Sequence, residues 1–218
     1  MIEIILTEDG SHTLFVPELS EHYHSIHGAV QESQFIFINS GLKFISLSPV
    51  RIFEAGFGTG LNAFLSAIES SSANRKIYYT SIDKYPLPAE ITDRLNYSGL
   101  FPGAEAGLFG NIHSCPWNTP VEISETFTLT KVEGDLTKAP PEGRYNLIYF
   151  DAFGPDKQPE MWTGEVFEKI SDITETGGIF VTYSAKGSVQ RSLKNAGFEV
   201  SLLPGPPGKR QIIRAVKI

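Results

Sequence analysis

The chain has 218 residues, 41% hydrophobic and 20% charged, with a formal net charge of −7. This length and balance suit one globular α/β unit with a small extension, and the acid excess excludes a general nucleic-acid coat. Cys115 is the only cysteine, which excludes an intrachain disulfide and a cysteine-based zinc site.

The start, Met1-Ile-Glu-Ile-Ile-Leu-Thr-Glu-Asp9, carries acids where a signal peptide would carry base. No apolar run approaches the length of a membrane span, so a reducing cytoplasm is the expected compartment. Residues 2–6 and 14–16 flank Asp9-Gly10 and read as a hairpin, the glycine supplying the positive-φ turn. A polar, histidine-rich stretch follows, and then Phe35-Ile-Phe-Ile38, which reads as another strand. Residues 1–48 are expected to form an N-terminal β extension packed on a main domain over 49–218.

From residue 50 the rhythm becomes strand, helix, strand. Residues 50–55 read as a buried strand. Leu61, Phe64, Leu65 and Ile68, at i, i+3, i+4 and i+7, give the next helix one apolar face. Further strands are expected over 76–82, 127–132, 145–150 and 178–183. Val166, Phe167 and Ile170 mark a helix before the last of these; Val189, Leu193 and Ala196 mark one after it, with Gly197 placed to stop it. Residues 99–120 read as a glycine-rich excursion. Two strands, 200–203 and 211–216, joined by Pro204-Gly-Pro-Pro-Gly208, close the chain.

Alternating strands and helices imply a mostly parallel sheet covered on both faces. The last two strands lack a helix between them, and their short link permits an antiparallel hairpin, which a parallel pair could not use. A Rossmann-like sheet with an antiparallel final strand is, by analogy, the S-adenosylmethionine-dependent methyltransferase variant of this architecture.

The strongest local signal is Glu54-Ala-Gly56-Phe57-Gly58-Thr59-Gly60-Leu-Asn62, which follows a strand and opens a helix. Glycines there let backbone approach a ligand closely. A dinucleotide fingerprint would want its third glycine at Leu61. Here the spacing is G-x-G-x-G, and the preceding Glu54 would repel a pyrophosphate but could help hold the ammonium of a methionine moiety. A tight turn without a ligand is the competing reading. Asp83 ends the second strand of the alternating series, where a carboxylate can accept both ribose hydroxyls; a helix N-cap is the competing reading. Gly134-Asp135 follows the next strand. Asp135 could take an adenine amino group, or simply make a turn.

The strand over 145–150 runs into Asp151-Ala-Phe153-Gly-Pro155-Asp-Lys-Gln-Pro-Glu-Met-Trp162. Ligands of open α/β sheets bind beyond the carboxyl ends of strands, which puts Asp151 beside the expected methyl donor. Phe153, Pro155 and Trp162 could wall an apolar subsite there. If the acceptor is an amine, Asp151 could take the proton that must leave before attack. From residue 184 to the end the bases are Lys186, Arg191, Lys194, Lys209, Arg210, Arg214 and Lys217, against the single acid Glu199. That face is either solvated surface or a local footprint for a polyanion.

The chain resembles the MnmC-like methyltransferases, which make the 5-methylaminomethyl group on the wobble uridine of certain tRNAs. Residues 23–32 with 35–42, 54–62, Asp83-Lys-Tyr-Pro86 and 151–163 carry the match. A weaker block spans 177–197 and ends in Asn195-Ala-Gly-Phe198, and Lys209-Arg210 fits a basic pair before the last strand. The resemblance implies S-adenosyl-L-methionine as cofactor, tRNA as partner, Asp151 facing the substrate amine, and Tyr23 and Glu32 helping to close the cofactor pocket. The family usually has Glu where this chain has Asp83. Many members are fused to a C-terminal flavin oxidoreductase, and a chain ending at Ile218 looks like the stand-alone form. His22, His24 and His27 match no metal-binding spacing, so no metal is expected. Two rivals stand beside this reading. An aminopropyltransferase would share the sheet and the strand-end Asp, and a non-catalytic tRNA-binding protein would need neither.

Overall fold

The computed structural model describes residues 2–105 and 107–218. Strands β1 (Glu3–Leu6) and β2 (His12–Val16) pair antiparallel, with Gly10 at φ +81° in the turn, and β3 (Glu21–His22) completes a small three-stranded sheet. The β1–β2 turn has a second role. The N–H groups of Ala29 and Val30 donate to Ser11 Oγ at 3.1 and 3.2 Å, and that of Gln31 donates to Asp9 Oδ2 at 2.9 Å. These are first-turn amides of helix α1 (Ala29–Ser33), which have no partner within their own helix.

Residues 35–38 are not a strand. Helix α1 continues into a wide π-type turn over Gln34–Asn39, closed by Ser40 N–H on the Phe35 carbonyl at 3.1 Å. An unbroken run of four apolar residues has no period to separate helix from strand. Packing decides it: Ile36, Phe37 and Ile38 are all buried, and the Phe37 ring meets Tyr149 at 5.1 Å. Arg75 then donates to the carbonyls of Ile45 and Leu42, at 2.6 and 3.0 Å, holding this segment to the main sheet.

The rest of the chain runs β4 (Val50–Ala55), α2 (Leu61–Ser72), β5 (Ile77–Asp83), α3 (Ala89–Thr92), α4 (Tyr97–Leu100), α5 (Leu108–Ser114), β6 (Pro120–Ser124) and β7 (Phe127–Glu133). It continues with β8 (Tyr145–Phe150), α6 (Gly164–Ile173), β9 (Thr174–Thr182), α7 (Gly187–Asn195), β10 (Phe198–Pro204) and β11 (Gln211–Lys217). The supposed excursion over 99–120 therefore contains α5 and leads into β6. Helix α5 is too short to show a period in sequence. It is fixed by Phe109, whose ring packs on Phe64 at 5.3 Å and Tyr97 at 5.5 Å.

The main sheet has the order β10-β11-β9-β8-β4-β5-β7-β6. Strands β9, β8, β4, β5 and β7 are mutually parallel; β11 lies antiparallel between β9 and β10, and β6 is antiparallel at the far edge. Successive strand residues feed opposite cores, as a period of two requires. Ile52, Leu147, Tyr149 and Val181 face α2 and the helix over 29–39, while Phe53, Ile148, Phe150 and Phe180 face α6 and α7. From central β4 the chain builds outward through β5 and β7, then returns to β8 on the other side. That reversal opens a crevice at the carboxyl ends of β4 and β8, where such sheets bind ligands. Among the described residues, no helix is long and apolar enough to cross a membrane.

Candidate functional site

The turn after β4 occupies the crevice. Gly56, Gly58 and Gly60 have φ of +93°, +50° and +70°, the region that favours glycine. A Cβ on Gly56 would stand 3.0 Å from the Asp151 carbonyl, and one on Gly58 would stand 3.1 Å from the Tyr23 ring. The glycines thus let β4 and β8 end side by side under an aromatic cover. Asp151 N–H donates to the Ala55 carbonyl at 3.0 Å, and Gly56 N–H to that of Ile82 at 3.0 Å, fixing the ends of all three strands together.

A cavity of about 420 Å³ runs along this edge. At one end lie Asp83 and Asp135, from the ends of β5 and β7. Asp83 accepts from Gly58 N–H at 2.9 Å and Tyr85 N–H at 2.8 Å, which orients its carboxylate while leaving lone pairs free. Asp135 accepts from Thr137 N–H and Oγ1 at 3.0 and 2.6 Å and pairs with Lys84 Nζ at 3.0 Å. The hydrogen bonds from Thr137, then those from Lys84, hold its carboxyl below the usual range although burial acts the other way.

At the other end Asp151, Asn62, Glu32, Lys209 and Tyr183 line the cavity. Asn62 Nδ2 donates to Asp151 Oδ2 at 2.8 Å and to Glu54 Oε1 at 3.0 Å. Burial, reinforced by the Glu32 carboxylate, raises Asp151 to about 7, against the opposing Asn62 hydrogen bond and Lys209 charge. Burial likewise raises Glu54 to about 8, against hydrogen bonds from Ser81 and Asn62. Glu32 Oε2 accepts from Ser25 N–H at 2.9 Å, and its Oε1 lies 3.0 Å from Lys209 Nζ. Tyr23 and Phe153 form the cover, their rings edge to face at 5.0 Å.

Several sequence expectations need correction here. Glu54 is 1% exposed and stands outside the cavity lining, behind Asn62, and its hydrogen bond toward the site runs through the Asn62 amide. Pro155 and Trp162 also stand outside it. Trp162 is a brace: its ring packs on Phe150 at 4.9 Å and its Nε1–H donates to the Phe153 carbonyl at 2.7 Å, aiming Phe153 at the cavity. Met161 supplies the apolar wall instead. Lys209 does not belong to an outward basic face. Its side chain is 27% exposed, turned into the cavity against Glu32 and over the Tyr183 ring at 4.7 Å, whereas Arg210 is exposed. Phe57, within the glycine turn, lines the cavity and packs its ring on His113 and Trp117 at 5.6 and 5.7 Å, while Gly60 stands outside the lining and opens α2.

Sequence reasoning missed His24, Tyr183 and Met161. Burial depresses His24 to about 4, so it is neutral, and its Nε2 hydrogen-bonds Thr59 Oγ1 at 2.8 Å. His24 thus supports the glycine turn, whereas the His22 ring lies against Phe15 at 4.8 Å and His27 Nδ1 stands 3.0 Å from Glu8 Oε1; among the described residues no group of three or more His, Cys, Asp or Glu is placed to hold a metal ion. Tyr183 follows the end of β9, and the strand-end rule that found Asp151 could have found it.

Residues 114–218 match the model of a family described as S-adenosyl-L-methionine-dependent methyltransferase. Over 209 residues the chain is 32% identical to a protein of Campylobacter hominis named tRNA 5-methylaminomethyl-2-thiouridine biosynthesis bifunctional protein MnmC, covering 93% of this chain and 31% of that one. A protein of the same name from Chromobacterium violaceum is 31% identical over 87% of this chain and 31% of its own length. The chain thus spans under a third of the length of these relatives. Among solved structures, MNMC2 from Aquifex aeolicus superposes with a TM-score of 0.77 at 27% identity, covering 99% of this chain and 70% of that one. Spermidine synthase from Thermotoga maritima, at a TM-score of 0.55 and 11% identity over 94% of this chain and 68% of its own, shares the fold alone.

Proposed function

The chain belongs to the MnmC-like family, and on that premise we propose that it transfers a methyl group from S-adenosyl-L-methionine to the 5-aminomethyl group on the wobble uridine of tRNA, in the cytoplasm. The observation that carries this reading is Asp151: a strand-end carboxylate, raised to about 7, inside the cavity that the glycine turn and Asp83 also line.

The cavity fits the cofactor on its own chemistry. Oriented acids at the ends of adjacent parallel strands, Asp83 and Asp135, suit a ribose diol and an adenine amino group. The crowding at Gly58 leaves room for a ligand only because a side chain is absent there. Asp83 would hold the ribose hydroxyls, Asp135 Oδ2 the adenine amine, Phe57 and the Gly56–Asn62 turn the backbone-facing side, and Tyr23 with Glu32 the opposite side. When bound, S-adenosyl-L-methionine supplies an electrophilic methyl group on a sulfonium centre.

The rest falls to the protein. A primary ammonium has no lone pair to attack with, so one proton must leave. Asp151 anchors the cation and accepts that proton on the oxygen not held by Asn62. A base that titrates near the working pH suits this role. Phe153 and Met161 keep water from the acceptor amine. Holding the reactants in attack geometry contributes about 7–11 kcal/mol in favourable cases, more than the proton transfer itself. Arg210, with Arg191 and Lys194, meets tRNA phosphates, and residues 1–48 serve as a cover for the domain over 49–218. The experiment is mass spectrometry of nucleosides from tRNA bearing 5-aminomethyluridine after incubation with labelled cofactor. A label that stays off that nucleoside refutes the reading. The aminopropyltransferase alternative rests on the shared fold, and transfer of an aminopropyl group when decarboxylated S-adenosyl-L-methionine is supplied in place of the intact cofactor would favour it.

A further inference from the structure

The Lys209–Glu32 pair is unexplained by methyl transfer as such. The two residues come from opposite ends of the chain: Glu32 from α1, Lys209 from the turn between β10 and β11. Both line the cavity at the end away from Asp83 and Asp135, their charged groups 3.0 Å apart. Each is held by a further contact. Ser25 N–H donates to Glu32 Oε2 at 2.9 Å, and Lys209 Nζ lies over the Tyr183 ring, whose hydroxyl donates to the Ala152 carbonyl at 2.8 Å. Both side chains are mostly withdrawn from solvent, at 27% exposure for Lys209 and 10% for Glu32.

A preformed ion pair facing a cavity presents one positive and one negative pole at fixed spacing. The ligand that complements both at once is a zwitterion, an ammonium beside a carboxylate on one carbon. Because the pair is held before the ligand arrives, little side-chain ordering remains to oppose binding. Resting on the cofactor reading above, we infer that Lys209 and Glu32 form the subsite for the α-amino acid group of S-adenosyl-L-methionine, Lys209 receiving the carboxylate and Glu32 the ammonium. Lys209 then determines specificity: it separates the intact cofactor from its decarboxylated form, which keeps the ammonium and the sulfonium but lacks the carboxylate. That choice decides whether a sheet of this kind is loaded with a methyl donor or an aminopropyl donor.

The test is calorimetric titration without tRNA, using S-adenosyl-L-methionine and decarboxylated S-adenosyl-L-methionine as probes. The wild type should favour the intact cofactor by about ten- to a hundredfold, the range of one charge-assisted hydrogen bond. Lys209→Met should lose that preference or reverse it, since Glu32 is then unpaired and repels the carboxylate; Lys209→Arg should keep it. Equal wild-type affinities, or a preference that survives Lys209→Met, overturn the inference while leaving the cofactor assignment standing. Failure of the wild type to bind either probe overturns the cofactor assignment itself and the inference with it. The wild-type comparison decides the matter even if a variant folds poorly.

Discussion

Asn62 Nδ2 stands 2.8 Å from Asp151 Oδ2, fixing one carboxylate oxygen from the first turn of α2 and leaving the other turned to the cavity. The same amide reaches Glu54 Oε1 at 3.0 Å, so the catalytic candidate and a fully buried acid share a single amide donor. The protonation of one is therefore felt by the other.

Asp151→Asn keeps size and some hydrogen bonding but cannot accept a proton. The methyl-transfer rate should fall by about 10²–10⁴-fold, with cofactor affinity nearly intact. In the wild type, the proton-accepting form of Asp151 is lost as pH falls through about 7, so the single-turnover rate should drop across that range. Raising the pH should partly rescue the Asn variant, because more of the substrate amine is then neutral. Near-normal turnover of the variant at pH 7 would make Asp151 a structural residue.

Glu54→Gln tests the buried acid through stability. The folded state holds the Glu54 proton up to about 8, above the ordinary value of 4.5. A raised carboxylate contributes its stability below the unfolded value, and that contribution fades as pH climbs toward the folded one. Gln stays neutral throughout. The melting temperature of Glu54→Gln should therefore gain on that of the wild type as pH rises from about 5 to about 9. A difference that does not vary with pH would mean that Glu54 is ionised in the fold.

Gly58→Val places a branched side chain 3.1 Å from the Tyr23 ring at a φ of +50°. Affinity for S-adenosyl-L-methionine should fall by at least about tenfold, and the backbone conformation should cost about 1–2 kcal/mol of stability. Calorimetry beside thermal melting separates the two effects. Cofactor affinity equal to that of the wild type would remove the glycine turn from the site.

Reversing charge at Arg191 and Arg210 should raise the KM for tRNA and flatten the salt dependence of binding, the slope falling by about one for each phosphate left without its arginine. Cofactor affinity should not change. Lys209 is unsuited to this test because it faces the cavity, and Lys186 is engaged with Asp156. Salt-independent tRNA binding in the wild type would identify this face as ordinary solvated surface.

Much of the architecture is legible in the chain alone. The strand before the glycine turn, the apolar stripe of Leu61, Phe64, Leu65 and Ile68, and the strand ending at Phe150 are each settled within about ten residues of sequence. Periodicity and turn chemistry act at that range, so placing Asp83 and Asp151 at strand ends needs only the alternation of elements. The antiparallel final pair is legible too, because the short Pro204–Gly208 link cannot carry a parallel crossover.

Other features depend on contacts between residues distant in the chain. Residues 34–39 are helical because the floor between α2 and the sheet needs Ile36, Phe37 and Ile38 buried together, a demand made by Tyr149 and its neighbours. Trp162 reads as a wall in sequence and is a brace in the fold, because Phe150 and the Phe153 carbonyl are there to receive it. Lys209 groups with the surface bases in sequence because a lysine in a polar turn is normally solvated. Only the insertion of β11 between β9 and β10 brings that turn over the crevice, where the acidic field of Glu32 and Asp151 draws the ammonium inward. Local sequence determined which residues end strands and open helices; long-range packing and charge decided which of them share one cavity.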